Sequence, residues 1–236
     1  MKDKRLSYGL IGRGRLARHF GFYLPLKGHR CLSWSRGQEA SRLDAADVIL
    51  VLTPDDEIEN FLRDAKRLHG LDFAGKRLVH CSGRLASELA VGCHPLQSFG
   101  PDLYAPEAYE RFPFAVDADG PDFAELFPKL PNPSFRVAKE SKALYHAATC
   151  FAANFSGLLW KGAAEIFEKG LGVDRRVIAP LLSQTLENTL RDPSRALTGP
   201  LARGDSGTIE AHLAALEGRP EADLYRAFLK YFQETR

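Results

Sequence analysis

The sequence predicts an α/β domain built on a parallel sheet, followed by a domain made only of helices. Three observations carry that expectation. A glycine-rich turn sits between a short apolar strand and a helical repeat. Further apolar runs of strand length recur up to about residue 138, and from Glu140 onward the periodicity becomes wholly helical. The expected domains are 1–139 and 140–236.

Tyr8-Gly9-Leu10-Ile11 reads as the first strand, and Leu16, Phe20 and Leu24 recur at helical spacing after it. Between them Gly12-Arg13-Gly14-Arg15-Leu16-Ala17 spells G-x-G-x-x-A. Gly12 permits a tight turn, Gly14 lets the backbone approach a phosphate, and Ala17 is small enough for close helix-on-strand packing. The helix N-terminus offers unpaired N–H groups to an anion, and Arg13 or Arg15 adds charge. A dinucleotide pyrophosphate is expected here, a plain glycine turn being the alternative, and the sheet is expected to be Rossmann-like.

The second strand, Cys31 to Arg36, ends in Ser35-Arg36 with no Asp or Glu. An acidic residue there would accept from the ribose 2′-hydroxyl of NAD, whereas an Arg pairs with a 2′-phosphate. NADP is therefore the expected cofactor, and a solvent-facing Arg36 the alternative. Only the ten residues Gly37 to Ala46 precede the next strand, Asp47 to Leu52, so the third strand of a full doubly wound half is expected to be missing. That next strand is apolar throughout, as a parallel strand covered on both faces should be, and a helix from Asp56 to His69 follows it. Gly75 to Gly83 supplies the next strand and its loop. Thr53, Pro54, Ser82 and Gly83 thus fall at carboxyl ends of strands, where ligands of such sheets bind.

Short strands are expected at Cys93–Phe99, Phe112–Val116 and Phe135–Ala138. One long helix is expected over Lys142–Leu171, with Leu144, Ala148, Phe151, Phe155, Leu158 and Leu159 on its apolar side. Asp174 starts another with a kink at Pro180, Asp205 or Ser206 caps a third, and Glu221–Glu234 makes a fourth.

Lys142 and His146 lie four residues apart on one helix face, with Cys150 and Asn154 continuing the line. Either Lys142 or His146 could move a proton beside a nicotinamide, the alternative being a capped helix end and a satisfied core histidine. Leu197 to Thr208 is expected as a polar loop in which Arg203 could meet an anionic substrate, with His212 one turn further on. Ser82 lacks a G-x-S-x-G context, which argues against a hydrolase nucleophile.

Composition narrows the function classes. With 236 residues and 44% hydrophobic content the chain can bury real cores, and 32 basic against 30 acidic residues point to neither nucleic acid nor an anionic membrane. No apolar run is long enough to span a bilayer, and Met1-Lys2-Asp3-Lys4-Arg5 has no apolar signal core, so a cytoplasmic location is expected. Cys31, Cys81, Cys93 and Cys150 show no C-x-x-C spacing, and read as buried thiols with neither a metal nor a disulfide framework.

These strings resemble proteins grouped with the deazaflavin-dependent NADP reductases, within the wider 6-phosphogluconate dehydrogenase-like superfamily. More narrowly they resemble a bacterial branch whose C-terminal helical domain is of unknown function. The resemblance rests on Gly9 to Ala17, His80-Cys81-Ser82-Gly83, His94-Pro95-Leu96-Gln97-Ser98-Phe99, Lys142 to Ala148, Asn154, Leu197-Thr198-Gly199-Pro200 and Arg203-Gly204-Asp205. It implies a Lys-x-x-x-Asn acid/base pair on the first helix of the second domain, here Lys142 and His146, and dimerisation through that domain. It also implies a small-molecule oxidoreductase with Ser82, Gly83, His94, Asn154 and Arg203 contacting a small acidic substrate in an interdomain cleft. NADP is the implied cofactor, with NAD or a deazaflavin coenzyme as alternatives. A non-enzymatic dinucleotide-sensing or partner-binding protein is the competing expectation.

Overall fold

The computed structural model describes residues 4–235; Met1, Lys2 and Asp3 of the N-terminal segment, and Arg236, lie outside them. Strands β1 (Ser7–Ile11), β2 (Arg30–Trp34), β3 (Val48–Val51), β4 (Arg77–His80), β5 (Val91–Pro95), β6 (Phe114–Asp117) and β7 (Ser134–Val137) form one sheet. Their order is β2-β1-β3-β4-β5-β6-β7, and every neighbouring pair is parallel except β5 with β6. Only the short 3-10 turn Ala40–Leu43 separates β2 from β3, which returns to the other side of β1. β2 is therefore an edge strand, and the sheet lacks a strand beyond it among the described residues.

The continuous apolar run of β3 has its reason in the packing. Val48 and Leu50 join Phe20, Tyr23 and Leu24 of helix α1 (Arg15–Leu26) in one core. Ile49 and Val51 face the other way, onto Ile58, Phe61 and Ala65 of α2 (Asp55–His69). Each such side chain fully withdrawn from water is worth about 1.5–3 kcal/mol, so the sheet is stabilised from both faces. Short helices α3 (Pro106–Tyr109) and α4 (Phe123–Leu126) complete the first face with an aromatic cluster of Tyr109, Phe112, Phe114, Phe123 and Phe127.

The expected single helix over 142–171 is interrupted. Helix α5 (Lys142–Thr149) passes through a π-helical stretch, Cys150–Phe155, into α6 (Ser156–Glu165), and a second π stretch, Ile166–Gly170, ends it. Pro180 makes no kink. It stands in the first turn of α7 (Ala179–Arg191), where a missing N–H leaves no bond unmade. Part of the expected polar loop is helical, as α8 (Gly199–Arg203). Asp205 caps α9 (Ser206–Ala215) by accepting from the Thr208 N–H at 3.2 Å, and α10 (Pro220–Glu234) follows.

The chain divides into two compact units between Ala153 and Asn154, later than the boundary at 139/140 expected from periodicity. The first turns of α5 belong with the sheet because Lys142 is ion-paired beneath it, as described below. The second unit is built differently. From Asn154 on, Ile178 and Ala222 are the buried hydrophobic residues among those described, while Leu158, Leu181 and Leu190 are 64%, 65% and 77% exposed. No helix among the described residues is long and apolar enough to cross a membrane.

Candidate functional site

A cavity of about 510 Å³ opens at the carboxyl ends of β1, β2 and β3. Gly12, Arg13 and Gly14 line it after β1, Ser35 and Arg36 after β2, and Thr53 and Pro54 after β3. Gly12 has φ +129°, and a Cβ there would stand 2.6 Å from the carbonyl oxygen of Leu52, so only glycine fits. Gly14 is different. Its φ is an ordinary −70°, and a Cβ would meet nothing within 4 Å. The protein itself does not need glycine at that position; a ligand approaching the backbone would.

Gly14 is also the N-cap of α1, with no side-chain cap and no acidic residue in the first turn, which leaves N–H groups facing the cavity end. Ser35 Oγ and Thr53 Oγ1 are buried with no hydrogen-bond partner. Orphaned buried hydroxyls are rare in folded proteins, and two on one cavity mark a place for polar ligand atoms. Arg36 completes the rim, its Nη2 3.1 Å from Glu57 Oε2 in the first turn of α2. Of the other expected cofactor residues, Arg15 is exposed on α1, Leu16 packs on the core and Ala17 is buried; they shape the helix but do not line the cavity.

A second polar cluster gathers at the carboxyl ends of β4 and β5. Lys142 is only 4% exposed, and its Nζ lies 2.5 Å from Asp117 Oδ1 at the end of β6. Asp117 accepts as well from the Gly92 N–H at 2.6 Å, and a Cβ on Gly92 would collide with the Lys142 ammonium. Lys142 is thus held in a buried ion pair, which ties the start of α5 to the end of β6.

His94 and His146 stand edge-on, with ring centroids 5.8 Å apart and planes at 89°. Burial, and then the neighbouring His146, lower the His94 pKa to about 4. His94 Nδ1 lies 2.7 Å from the Tyr145 hydroxyl, whose own pKa burial pushes up to about 12. Gly83 makes room for the pair: a Cβ there would stand 2.6 Å from His146 Cδ2. Ser82 donates from Oγ to Asp55 at 2.5 Å and accepts from the Leu85 N–H.

His80 completes the group. Burial, and then the Lys142 charge, hold its pKa down to about 3. Its Nδ1 accepts from the Ser82 N–H at 3.2 Å, so the ring proton sits on Nε2, which is buried and unpartnered. Among the described residues no group of three His, Cys, Asp or Glu side chains is placed to hold a metal ion. Cys81 and Cys93 are free thiols pushed well up by burial, which makes them poor nucleophiles.

The structure therefore collects Gly12, Arg13, Gly14, Ser35, Arg36, Thr53 and Pro54 on one cavity, and Ser82, Gly83, His94, Lys142 and His146 in one cluster. Asn154 lies in the π-helical stretch Cys150–Phe155 and is exposed at the start of the second unit. Arg203 is the exposed last residue of α8, and His212 pairs with the Tyr225 hydroxyl at 3.0 Å. Sequence reasoning missed Glu57, Asp117, Tyr145 and His80. Asp117 carried a signal, as a charge closing the apolar strand Phe114-Ala115-Val116.

Sheet order and glycine turn together define a Rossmann-like α/β fold followed by a helical unit. Residues 112–231 match the family model described as domain of unknown function DUF2520, and the chain belongs to that family. No curated protein matches it. Among solved structures it is similar to a candidate NADP oxidoreductase from Bacteroides fragilis, with 21% identity, 98% of each chain covered and a TM-score of 0.82. It is also similar to an imine reductase from Pseudomonas sp., at 17% identity over 98% of this chain and 93% of that one, with a TM-score of 0.65. A third is Plasmodium falciparum pyrroline carboxylate reductase with NADP bound, at 12% identity over 100% of this chain and 97% of that one, with a TM-score of 0.56. Likeness at these identities shows the fold.

Proposed function

We propose that this chain is an NADP-dependent oxidoreductase acting on a small, acidic carbonyl, imine or hydroxy compound. The observation that carries the reading is the cavity at α1: an uncapped helix N-terminus, a Gly14 facing open space, and two unpartnered hydroxyls. In this reading the backbone at Gly12, Arg13 and Gly14 holds the pyrophosphate, with Arg15 adding charge. Ser35 and Arg36 take the 2′-phosphate, and Thr53 and Pro54 flank the dinucleotide. The names of the similar solved structures, two of them mentioning NADP and two naming reductases, agree with it.

The bound nicotinamide would supply or accept a hydride. The protein's share is the proton. His146, beside His94 and the protonated Tyr145 hydroxyl, is the proposed acid/base, while Lys142 positions α5 through Asp117. Ser82 and Gly83 shape the pocket wall, and Asn154 and Arg203 are proposed substrate contacts. The exposed leucines of the second unit further support a homodimer formed through residues 154–235.

The test follows NADPH absorbance against a panel of keto acids, imines and aldehydes. Turnover is expected with at least one class, and His146→Ala should lower it about 10²–10⁴-fold while NADPH affinity stays unchanged. NADPH binding without turnover of any class would favour the dinucleotide-sensing alternative instead.

A further inference from the structure

The rim of the dinucleotide cavity holds one contact the reading above does not use. Arg36, just past β2, donates to Glu57, and both residues line the cavity. Their side chains are 69% and 50% exposed, so the pair is screened by solvent and parts easily. The other carboxylates of the same helical turn, Asp55 and Asp56, face Arg84. Glu57 is the one aimed at Arg36.

A ligand group that reaches the Arg36 guanidinium therefore meets a carboxylate 3.1 Å away from it. A 2′-phosphate that takes the remaining donors of the guanidinium comes to lie beside the Glu57 carboxylate, two anions side by side. A free ribose 2′-hydroxyl finds the opposite: an ionised acceptor already oriented by its partner. The position is the one an acidic residue at the end of the second strand would serve, reached here from the first turn of α2.

We infer that Glu57 is a specificity-determining residue that offsets Arg36, so that the preference for NADP(H) set by Arg36 is held small and NAD(H) is taken as well. The inference rests on the dinucleotide reading of the cavity. It assigns the 2′-phosphate to Arg36 and the 2′-hydroxyl to Glu57.

NADPH and NADH are titrated separately into the full chain, its Glu57→Gln variant and an Asp64→Asn control, with nicotinamide fluorescence as the readout. Asp64 lies on the same helix but pairs with Arg67 and does not line the cavity. The wild-type dissociation constants should fall within about tenfold of each other, and Glu57→Gln should shift their ratio toward NADPH by about tenfold. Asp64→Asn should leave the ratio unmoved. If both dinucleotides bind and Glu57→Gln leaves the ratio unchanged, the inference is overturned and the dinucleotide reading stands. A wild type that already prefers NADPH by more than about a hundredfold overturns it equally. If neither dinucleotide binds the wild type, the reading of the cavity fails and takes the inference with it.

Discussion

The two units of the chain handle apolar surface in opposite ways. In the first, every residue of β3 is buried and both faces of the sheet are covered, by α1 with an aromatic cluster and by α2. In the second, four-turn helices keep Leu181 and Leu190 largely in water, and only Ile178 and Ala222 are buried among the described residues. A unit with so little interior gains little from burial to set against the conformational entropy of its ordering. The first unit carries its own core, whereas the homodimer proposed above would cover apolar surface that the second unit exposes. The chain's two tryptophans separate the units experimentally: Trp34 is 2% exposed in the first and Trp160 is 40% exposed in the second.

The largest effect is expected at the ion pair that anchors α5 to the sheet. Lys142→Ala leaves Asp117 buried without its partner and should cost the first unit about 3–5 kcal/mol. Trp34 fluorescence during denaturant unfolding of a Trp160→Phe background reads this, and adding Asp117→Asn should recover part of the loss. Unchanged unfolding would place Lys142 elsewhere.

Acid should also distinguish the units. His94 and His80 have folded pKa values of about 4 and about 3, below the ordinary 6.5, and burial is the first cause of each. The fold thus favours their neutral forms. That contribution is complete above pH 6.5 and is lost as the pH falls from there toward 4 and 3, by roughly 3 kcal/mol for each histidine at pH 4. His29, also lowered by burial, accepts from the Leu6 N–H and adds in the same direction. The Trp34 transition should move to lower denaturant on acidification well before that of Trp160; coincident shifts would contradict the assignment.

A smaller effect is expected in the second unit. Leu158→Glu should weaken self-association by about 2 kcal/mol, roughly thirtyfold, without moving the Trp34 transition. Light scattering across the micromolar range checks it, and a wild type that is monomeric throughout would break the comparison. The smallest contrast lies within the glycine turn. Gly12→Ala must adopt a positive φ against the Leu52 carbonyl and should destabilise by about 1–3 kcal/mol, while Gly14→Ala should stay within about 0.5 kcal/mol of wild type.

The cavity was legible in the sequence and the cluster around His94 and Lys142 only in part, and the reason is locality. Gly12, Gly14 and Ala17 act through one strand–turn–helix unit, and Ser35 and Thr53 each close a recognisable strand, so residue order alone placed them. The short linker from Gly37 to Ala46 likewise foretold the missing edge strand. The partners of Lys142 and His94 come from afar: Asp117 lies on β6, and its pairing to Lys142 depends on Gly92 of a third element leaving space. No spacing rule reveals such a contact. Helical periodicity set the expected boundary at 139/140 because it marks where strands stop, whereas the compact units part between Ala153 and Asn154. The π stretch at Cys150–Phe155 was not legible either, because the apolar spacing on both sides of it reads as one continuous helix.

The central claim is that the first unit holds a nicotinamide dinucleotide by its pyrophosphate at the β1–α1 turn. Titration calorimetry of NADPH into the wild type and into Gly14→Asp tests it most directly. A side chain at position 14 enters open space, so the variant keeps the wild-type fold while placing a carboxylate where the phosphates belong. We expect binding to the wild type and a loss of at least about a hundredfold in Gly14→Asp, with the Trp34 transition unmoved. Equal affinity in the two proteins, or no heat with the wild type up to millimolar NADPH, would contradict the account.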